Sequence, residues 1–557
     1  MRSFVLAAAG VYAVLTLALT WPVAAELTTH VPFYNDTWIF VWDLWWFKTA
    51  LLSPTLGLYA TPLVFHPGGV PLAFHTLTPA NGLLALPLID TFGVVAAHTL
   101  VFLASFVLTA TSMAALALKL TGSRAGALLA GFLFAFSPYR LAHGYHLNLL
   151  SLETVPLFAW AFLAFLARPR WATALVSAAL AAASYYLCLV YGSFVWLLAA
   201  VLALHALVSG KTRLSADLVG RGAGMAALSA LFLLPALIPA LAEAVVEPYY
   251  FDPVDQRFSA DLASWITPSL QHPLWGGYTM KVYQHFPGVL AEWTTYVGFT
   301  VLVLVAAAWT LRRTEAVGRW FTVAAVFAVL ASGPTLQFLG RDLGVPLPYR
   351  LFKLVPVLNS LREPSRFAAL VTLATSVLAA YGVKALGRRT AGEWRVAAVA
   401  FALALIEFLP TPLPTTSAVV PAFLHQLARE PGDFAVLEAP PSWAHREHLY
   451  HQTVHGKSIS EGYIARIPAT TLRFVDTWPL AQDPADWVLT PERARALAAS
   501  ARRYDVRYAL VYRELYLKRQ RPEGFDRALT NLLALPGATI ASREADFAAV
   551  RFSGAAP

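Results

Sequence analysis

The chain has 557 residues, 58% of them hydrophobic and only 13% charged, with a mean hydropathy of +0.57. So little polar surface cannot clothe a water-soluble globule of this size, and lipid must solvate much of it. The net charge of +9 does not by itself indicate nucleic acid, because Lys and Arg gather in the cytoplasmic loops of membrane proteins for insertion reasons alone.

Apolar stretches able to span a bilayer fall at residues 4–23, 94–118, 125–136, 151–166, 171–187, 193–207, 225–246, 295–311, 321–336, 368–383 and 396–409, about eleven in all. Arg2 makes the first start cytoplasmic. Lys119 and Arg124, Arg168 and Arg170, Lys211 and Arg213, Arg312 and Arg313, and Lys384 with Arg388 and Arg389 then recur on alternate turns, as the positive-inside bias requires. Residues 77–88 are apolar but short and carry Pro79 and Pro87, which predicts a re-entrant or interfacial helix; counting them as a span would put most of the loop cations outside. The expectation is an inner (plasma) membrane protein with a cytoplasmic N-terminus. The apolar run ending at Ala25 also has the form of a signal peptide, and the topology after it is the same either way.

In the first outer loop, Trp38, Trp42, Trp45 and Trp46 recur on one stripe, which predicts an amphipathic helix lying in the membrane interface. Asp36 and Asp43 are seven apart, on nearly the same side of that helix and roughly 10 Å from each other. Asp36 also stands where a residue caps a helix through its side chain.

Farther on, His143 and His146 share one face of a turn with Glu153 nearby. That cluster is open to three readings: metal ligation, hydrogen bonding to a substrate, or polar packing at the ends of two spans. The lone cysteine, Cys188, excludes an intrachain disulfide.

After a Pro-rich linker at 410–421 the character changes. Residues 434–438, 506–512 and 548–552 read as short strands and 491–503 as an Ala/Arg-rich helix, a small α/β domain following the spans. The division expected is a transmembrane domain over 1–410 and an extracytoplasmic α/β domain over 411–557. This second part holds Glu438, His445, His448, His451 and His455, a His-rich tract that suits metal, sugar or a plain polar loop.

Taken together, an apolar first span, an acidic residue early in a Trp-rich outer loop, Tyr59-Ala-Thr-Pro-Leu-Val-Phe-His-Pro-Gly-Gly, Phe74-His-Thr-Leu-Thr-Pro, Phe136-Ser-Pro-Tyr-Arg-Leu-Ala-His-Gly-Tyr-His-Leu-Asn, Trp265-Ile-Thr-Pro-Ser with His272-Pro273, and Leu361-Arg-Glu-Pro-Ser-Arg-Phe resemble the GT-C superfamily of integral membrane glycosyltransferases. The likeness covers about residues 1–410 and is greatest to a bacterial branch whose activities are not established. It implies a sugar donor carried on a polyprenyl phosphate, transfer on the outer face, and a saccharide, lipid or protein acceptor, with membrane lipids as the other partners and no nucleic acid.

The family's first-loop acid acts as catalytic base. The matching position is Asp36, with Asp43 as a second catalytic carboxylate; Asn35-Asp36 departs from the Gly-Asp or Asp-Glu of relatives. No cofactor is implied with certainty, and a divalent metal stays open. The resemblance places His75, Arg140, His143, His146 and Glu153 in the substrate-binding set. A phosphate leaving group wants fixed positive charge, which Arg362 and Arg366, four apart, offer together with Lys353 and the neighbouring Arg350. Anionic lipid headgroups would suit the same cations.

A transporter of lipid-linked or envelope substrates and a non-catalytic anchor for the C-terminal domain are the competing classes. The spans carry almost no midplane charge, which disfavours the first. Removing the chain after Pro421 should destroy function in an anchor and only alter acceptor choice in an enzyme.

Overall fold

The computed structural model describes every residue except 247–255, 356–357, 359–360, 391, 411, 442–444 and 553–557. The chain is dominantly helical and divides into two compact units. Residues 1–27, 99–234 and 251–415 form the first, and residues 28–98, 235–250 and 416–557 the second. The first loop thus clusters with the C-terminal part in the second unit, whereas the sequence reading divides the chain at 410.

Six helices are long and apolar enough to cross a membrane: Arg2–Leu19, Pro79–Thr121, Arg124–Ala142, Leu189–Val208, Ala216–Val245 and Pro364–Gly387. The protein is a multi-pass membrane protein. Crossings expected at 151–166, 171–187 and 295–311 are realised as the shorter apolar helices Thr154–Ala167, Trp171–Leu187 and Phe299–Leu311, so length and composition support six of the eleven. The segment expected as a separate re-entrant piece runs on into the next span, the helix Pro79–Thr121 breaking at Gly93, where φ is +83° and a side chain would be strained.

In the first unit the helix Ala368–Gly387 is apolar on every side and buried almost throughout, the pattern of a helix at the middle of a bundle. It packs against Arg124–Ala135, Phe299–Leu311 and Glu315–Ala331. Between apolar helices in lipid, close packing replaces the hydrophobic drive. Gly126 allows it: a Cβ there would sit 2.8 Å from the Ala380 carbonyl oxygen. The same helix starts cleanly because Ser123 Oγ accepts the Gly126 N–H at 3.0 Å.

The second unit carries a five-stranded sheet in the spatial order Ala538–Arg543, Phe547–Phe552, Val506–Tyr512, Ala435–Ala439, Ser458–Ile459. The strand Ala435–Ala439 has parallel neighbours on both sides and is buried at every position, as a continuous apolar run between parallel strands should be. Glu438 is the exception within it. The helix Pro491–Arg503 lies where expected, capped by Thr490 Oγ1, which accepts the Arg493 N–H at 3.1 Å.

The first-loop helix, Thr37–Leu52, overturns the interfacial expectation. Trp42 and Trp46 are both 0% exposed and share one core with Val436, Leu449, Tyr508 and Leu510, while Trp38 stacks on Tyr450 at 4.5 Å. The helix is apolar nearly all round, so it finds protein on both faces instead of headgroups on one. Trp42 Nε1 donates to Gln452 Oε1 at 2.7 Å, and Gln452 Nε2 in turn donates to the carbonyls of Leu63 and Lys457 at 2.6 and 3.0 Å.

Candidate functional site

In the second unit the helix Thr37–Leu52 begins at Asp36, whose side chain makes no capping hydrogen bond. The carboxylate turns to the C-terminal part of the same unit instead, where Arg446 Nε donates to Asp36 Oδ1 at 2.9 Å. The pair stays partly open to water, 18% and 16% exposed. The Arg446 guanidinium lies over the Tyr463 ring, 4.0 Å from its centre, which fixes its plane.

Beside it Glu447 Oε1 accepts from the Tyr34 hydroxyl at 3.0 Å and from Lys518 Nζ at 3.1 Å. Burial would push the Glu447 acid up, but Lys518 and these hydrogen bonds outweigh it and hold the carboxyl below its usual range. Tyr34, Asp36, Arg446, Glu447 and Lys518 thus form a charged patch of alternating sign.

Asp43 does not join it. Its Oδ1 accepts from His75 Nε2 at 3.0 Å in a sealed pocket, and His75 Nδ1 accepts the Ala465 N–H at 3.0 Å, which assigns the ring proton to Nε2. Burial raises the Asp43 acid above its ordinary value, with His75 opposing. The two carboxylates expected to act side by side therefore have different surroundings: one is wet and paired with a guanidinium, the other dry and paired with an imidazole.

In the first unit, Arg140 is fully buried and its donors are taken by the carbonyls of Ala135 and Leu150 and by Ser105 Oγ, at 2.5 to 2.9 Å. These bonds satisfy carbonyls around the bend between two helices. Glu153 is reached by Thr109 Oγ1 at 3.5 Å. The His143 and His146 rings are 6.0 Å apart, and His143 Nδ1 donates to the Tyr139 carbonyl at 2.9 Å. Among the described residues the group spaced to hold a metal ion is Glu438, His448 and His451; it does not include the His143, His146, Glu153 cluster.

What His143 and Arg366 do share is Glu292, a buried carboxylate that the sequence reading passed over. Arg366 Nε and Nη2 both reach Glu292 Oε1 at 2.9 Å, His143 Nε2 stands 3.5 Å from the same oxygen, and Ser365 Oγ donates to Oε2. Burial would raise this acid, yet Arg366 and His143 hold it well below the carboxylate range. A signal existed: Glu292 is an ionisable residue next to Trp293, just before an apolar run. Arg366 also pairs with Glu363 Oε2 at 3.5 Å, and Arg362 Nε donates to Glu363 Oε1 at 2.5 Å. The two arginines thus come with two glutamates, a nearly neutral set in place of the bare cation pair expected. Arg350 Nε donates to the Pro334 carbonyl at 2.9 Å, and the Lys353 side chain lies outside the described residues.

No family model matches the sequence, and no curated protein matches it. Solved structures do. The arabinofuranosyltransferase AftD from Mycobacteria is similar over 100% of this chain with a TM-score of 0.63 at 16% identity; the chain spans only 40% of that protein's length. The oligosaccharyltransferase of Archaeoglobus fulgidus is similar over 99% of the chain and 74% of its own, with a TM-score of 0.51 at 12% identity. The chain therefore shares the fold of these two solved structures.

Proposed function

We propose that this protein is an inverting glycosyltransferase that moves a sugar from a polyprenyl-phosphate donor to an acceptor hydroxyl on the extracytoplasmic side of the cell membrane, with Asp36 as general base. The observation that carries the reading is the state of Asp36. Its carboxylate heads a helix without capping it, stays partly open to solvent, and has one oxygen held by Arg446. A carboxylate oriented by a guanidinium and open to water is suited to proton abstraction from an alcohol.

The chemistry is then an in-line exchange at the anomeric carbon. The acceptor oxygen gives its proton to Asp36 and forms the new C–O bond, while the bond to the phosphate oxygen breaks and the polyprenyl phosphate leaves with the electron pair. Arg446 is a positioning residue: it orients the carboxylate, and its placement over Tyr463 keeps that orientation. Of the first unit's two arginines, Arg362, 30% exposed, is more open to an anionic phosphate than Arg366, 16% exposed and clamped by two glutamates. His75 and Asp43 hold the first loop together behind the base, and Arg140, His143, His146, Glu153 and Lys353 remain candidates for substrate contact. That fold is shared with glycosyltransferases of the AftD kind, which supports the reading over transport. The common core of the first loop and the C-terminal strands supports it over a passive anchor.

The test is sugar transfer by the purified chain over a panel of lipid-linked sugars. Asp36→Asn, expressed and folded as the parent, is expected to lose roughly 10²- to 10⁴-fold in rate. Retained transfer by that variant refutes the assignment.

A further inference from the structure

The helix Glu447–His455 presents His448, His451 and His455 at i, i+3 and i+7, on one face. That face meets Glu438, near the C-terminal end of a strand flanked by parallel neighbours, where α/β folds place ligands. All four side chains are buried, between 2% and 8% exposed. We propose that Glu438, His448 and His451 form a binding site for one divalent transition-metal ion of the zinc class, ligated by a Glu438 carboxylate oxygen, His448 Nδ1 and His451 Nδ1.

The tautomers argue for it. His448 Nε2 donates to the Pro440 carbonyl at 3.1 Å, so in the neutral ring Nδ1 carries a lone pair, and that lone pair is directed at Glu438 Oε2, in contact with it. Two lone pairs face to face repel unless a positive charge sits with them, either a proton on His448 or a metal ion. His451 Nδ1 stands 3.6 Å from the same carboxylate oxygen, and the ligand atoms of all three residues lie within 4.8 Å of one another. Adjacent ligand atoms of a tetrahedral zinc site are separated by about 3.3 Å, given bonds near 2.0–2.1 Å, so small rotations of these side chains close the shell.

The surroundings fit a metal better than a lone proton. None of the polar atoms turned inward, namely both Glu438 oxygens, His448 Nδ1, His451 Nδ1 and His455 Nε2, has a well-formed hydrogen bond. A proton on His448 answers only its own Nδ1 and Glu438 Oε2, because the His451 and His455 nitrogens stand 3.6 Å from the carboxylate, beyond hydrogen-bond reach. His455 Nδ1 accepts the Lys457 N–H at 3.0 Å, so its Nε2 bears the proton and faces Glu438 Oε1 at 3.6 Å, where a small rotation would let it donate to the carboxylate of a loaded site. Tyr512 stacks on His451 at 4.5 Å and closes one side.

The proposal is independent of the transferase reading and is tested without activity. The full chain, purified in detergent with a tag free of histidine and stripped with a chelator, is titrated with Co²⁺ and then Zn²⁺ while bound metal is quantified. About one ion per chain is expected, with the visible absorption of a four-coordinate Co²⁺ site that Zn²⁺ abolishes. The double variant Glu438→Gln/His448→Gln is expected to bind at least about tenfold less, while His425→Gln, exposed on another helix, binds as the parent. Should the double variant unfold, as read by circular dichroism, His451→Asn decides: a weakened or shifted Co²⁺ band supports the site and an unchanged band overturns it. Binding far below one ion per parent chain, or equal binding by the folded double variant, also overturns it.

Discussion

Arg366 reaches a single oxygen of Glu292 through both Nε and Nη2, each at 2.9 Å, and His143 approaches that oxygen as well. The first unit thereby holds a buried charge that two separate segments neutralise. Breaking such a pair from one side leaves the other charge stranded. Glu292→Gln is expected to cost on the order of 3–5 kcal/mol, and the double variant Glu292→Gln/Arg366→Met much less than that. Denaturant unfolding of the detergent-purified protein, run as a double-mutant cycle, reads both.

Asp43 provides a pH test. Burial raises its folded pKa above the unfolded value, so the folded chain binds this proton more tightly than the unfolded one. Its contribution is then full below the unfolded pKa and lost as pH rises through the raised folded value. Asp43→Asn keeps an acceptor for the His75 N–H without the charge. That variant is expected to be more stable than the parent at pH 7, the difference shrinking toward zero as pH falls. Asp43→Leu, which strands the imidazole donor, is expected to be less stable by about 1–3 kcal/mol. Thermal melts across pH check the order.

Gln452 links the first loop to the C-terminal part by accepting from Trp42 and donating to two carbonyls. Gln452→Leu is expected to cost roughly 2–3 kcal/mol, since it leaves a buried indole donor and two acceptors unpaired. Truncation after Pro421 is expected to do more: it uncovers Trp42 and Trp46 and should make residues 28–78 sensitive to protease, abolishing transfer in the enzyme itself. Limited proteolysis with mass mapping is the measurement, and it replaces the sequence-based expectation that only acceptor choice would change.

Arg446 separates orientation from chemistry. Arg446→Gln removes a charge-assisted hydrogen bond from Asp36 and is expected to lower the turnover rate roughly ten- to a hundredfold with little change in KM for the lipid donor. Arg446→Lys should restore part of it, because charge returns without the fixed plane over Tyr463. Steady-state kinetics on the three proteins decide.

Much of the C-terminal domain could be read in advance because its signals are local. Short runs that read as strands at 434–438, 506–512 and 548–552 are realised at 435–439, 506–512 and 547–552, and the Ala/Arg-rich stretch 491–503 is the helix it reads as. Six of the eleven expected spans were legible for the same reason: about twenty apolar residues have nowhere else to go. The Trp stripe misled, since periodicity reports that a face is apolar and says nothing about what covers it. Lipid headgroups and a protein core present the same demand to Trp42.

The composition alone determined that this is a membrane protein, and the resemblance carried by an acid in a Trp-rich first loop and the motifs after it named Asp36 as a candidate base. Only the tertiary structure decided its partners. Arg446 lies 410 residues from Asp36, Glu292 lies 74 from Arg366, and Glu438 meets a helix that begins at 447. Charge pairing across such separations depends on which surfaces fold together, and no local propensity or spacing encodes it.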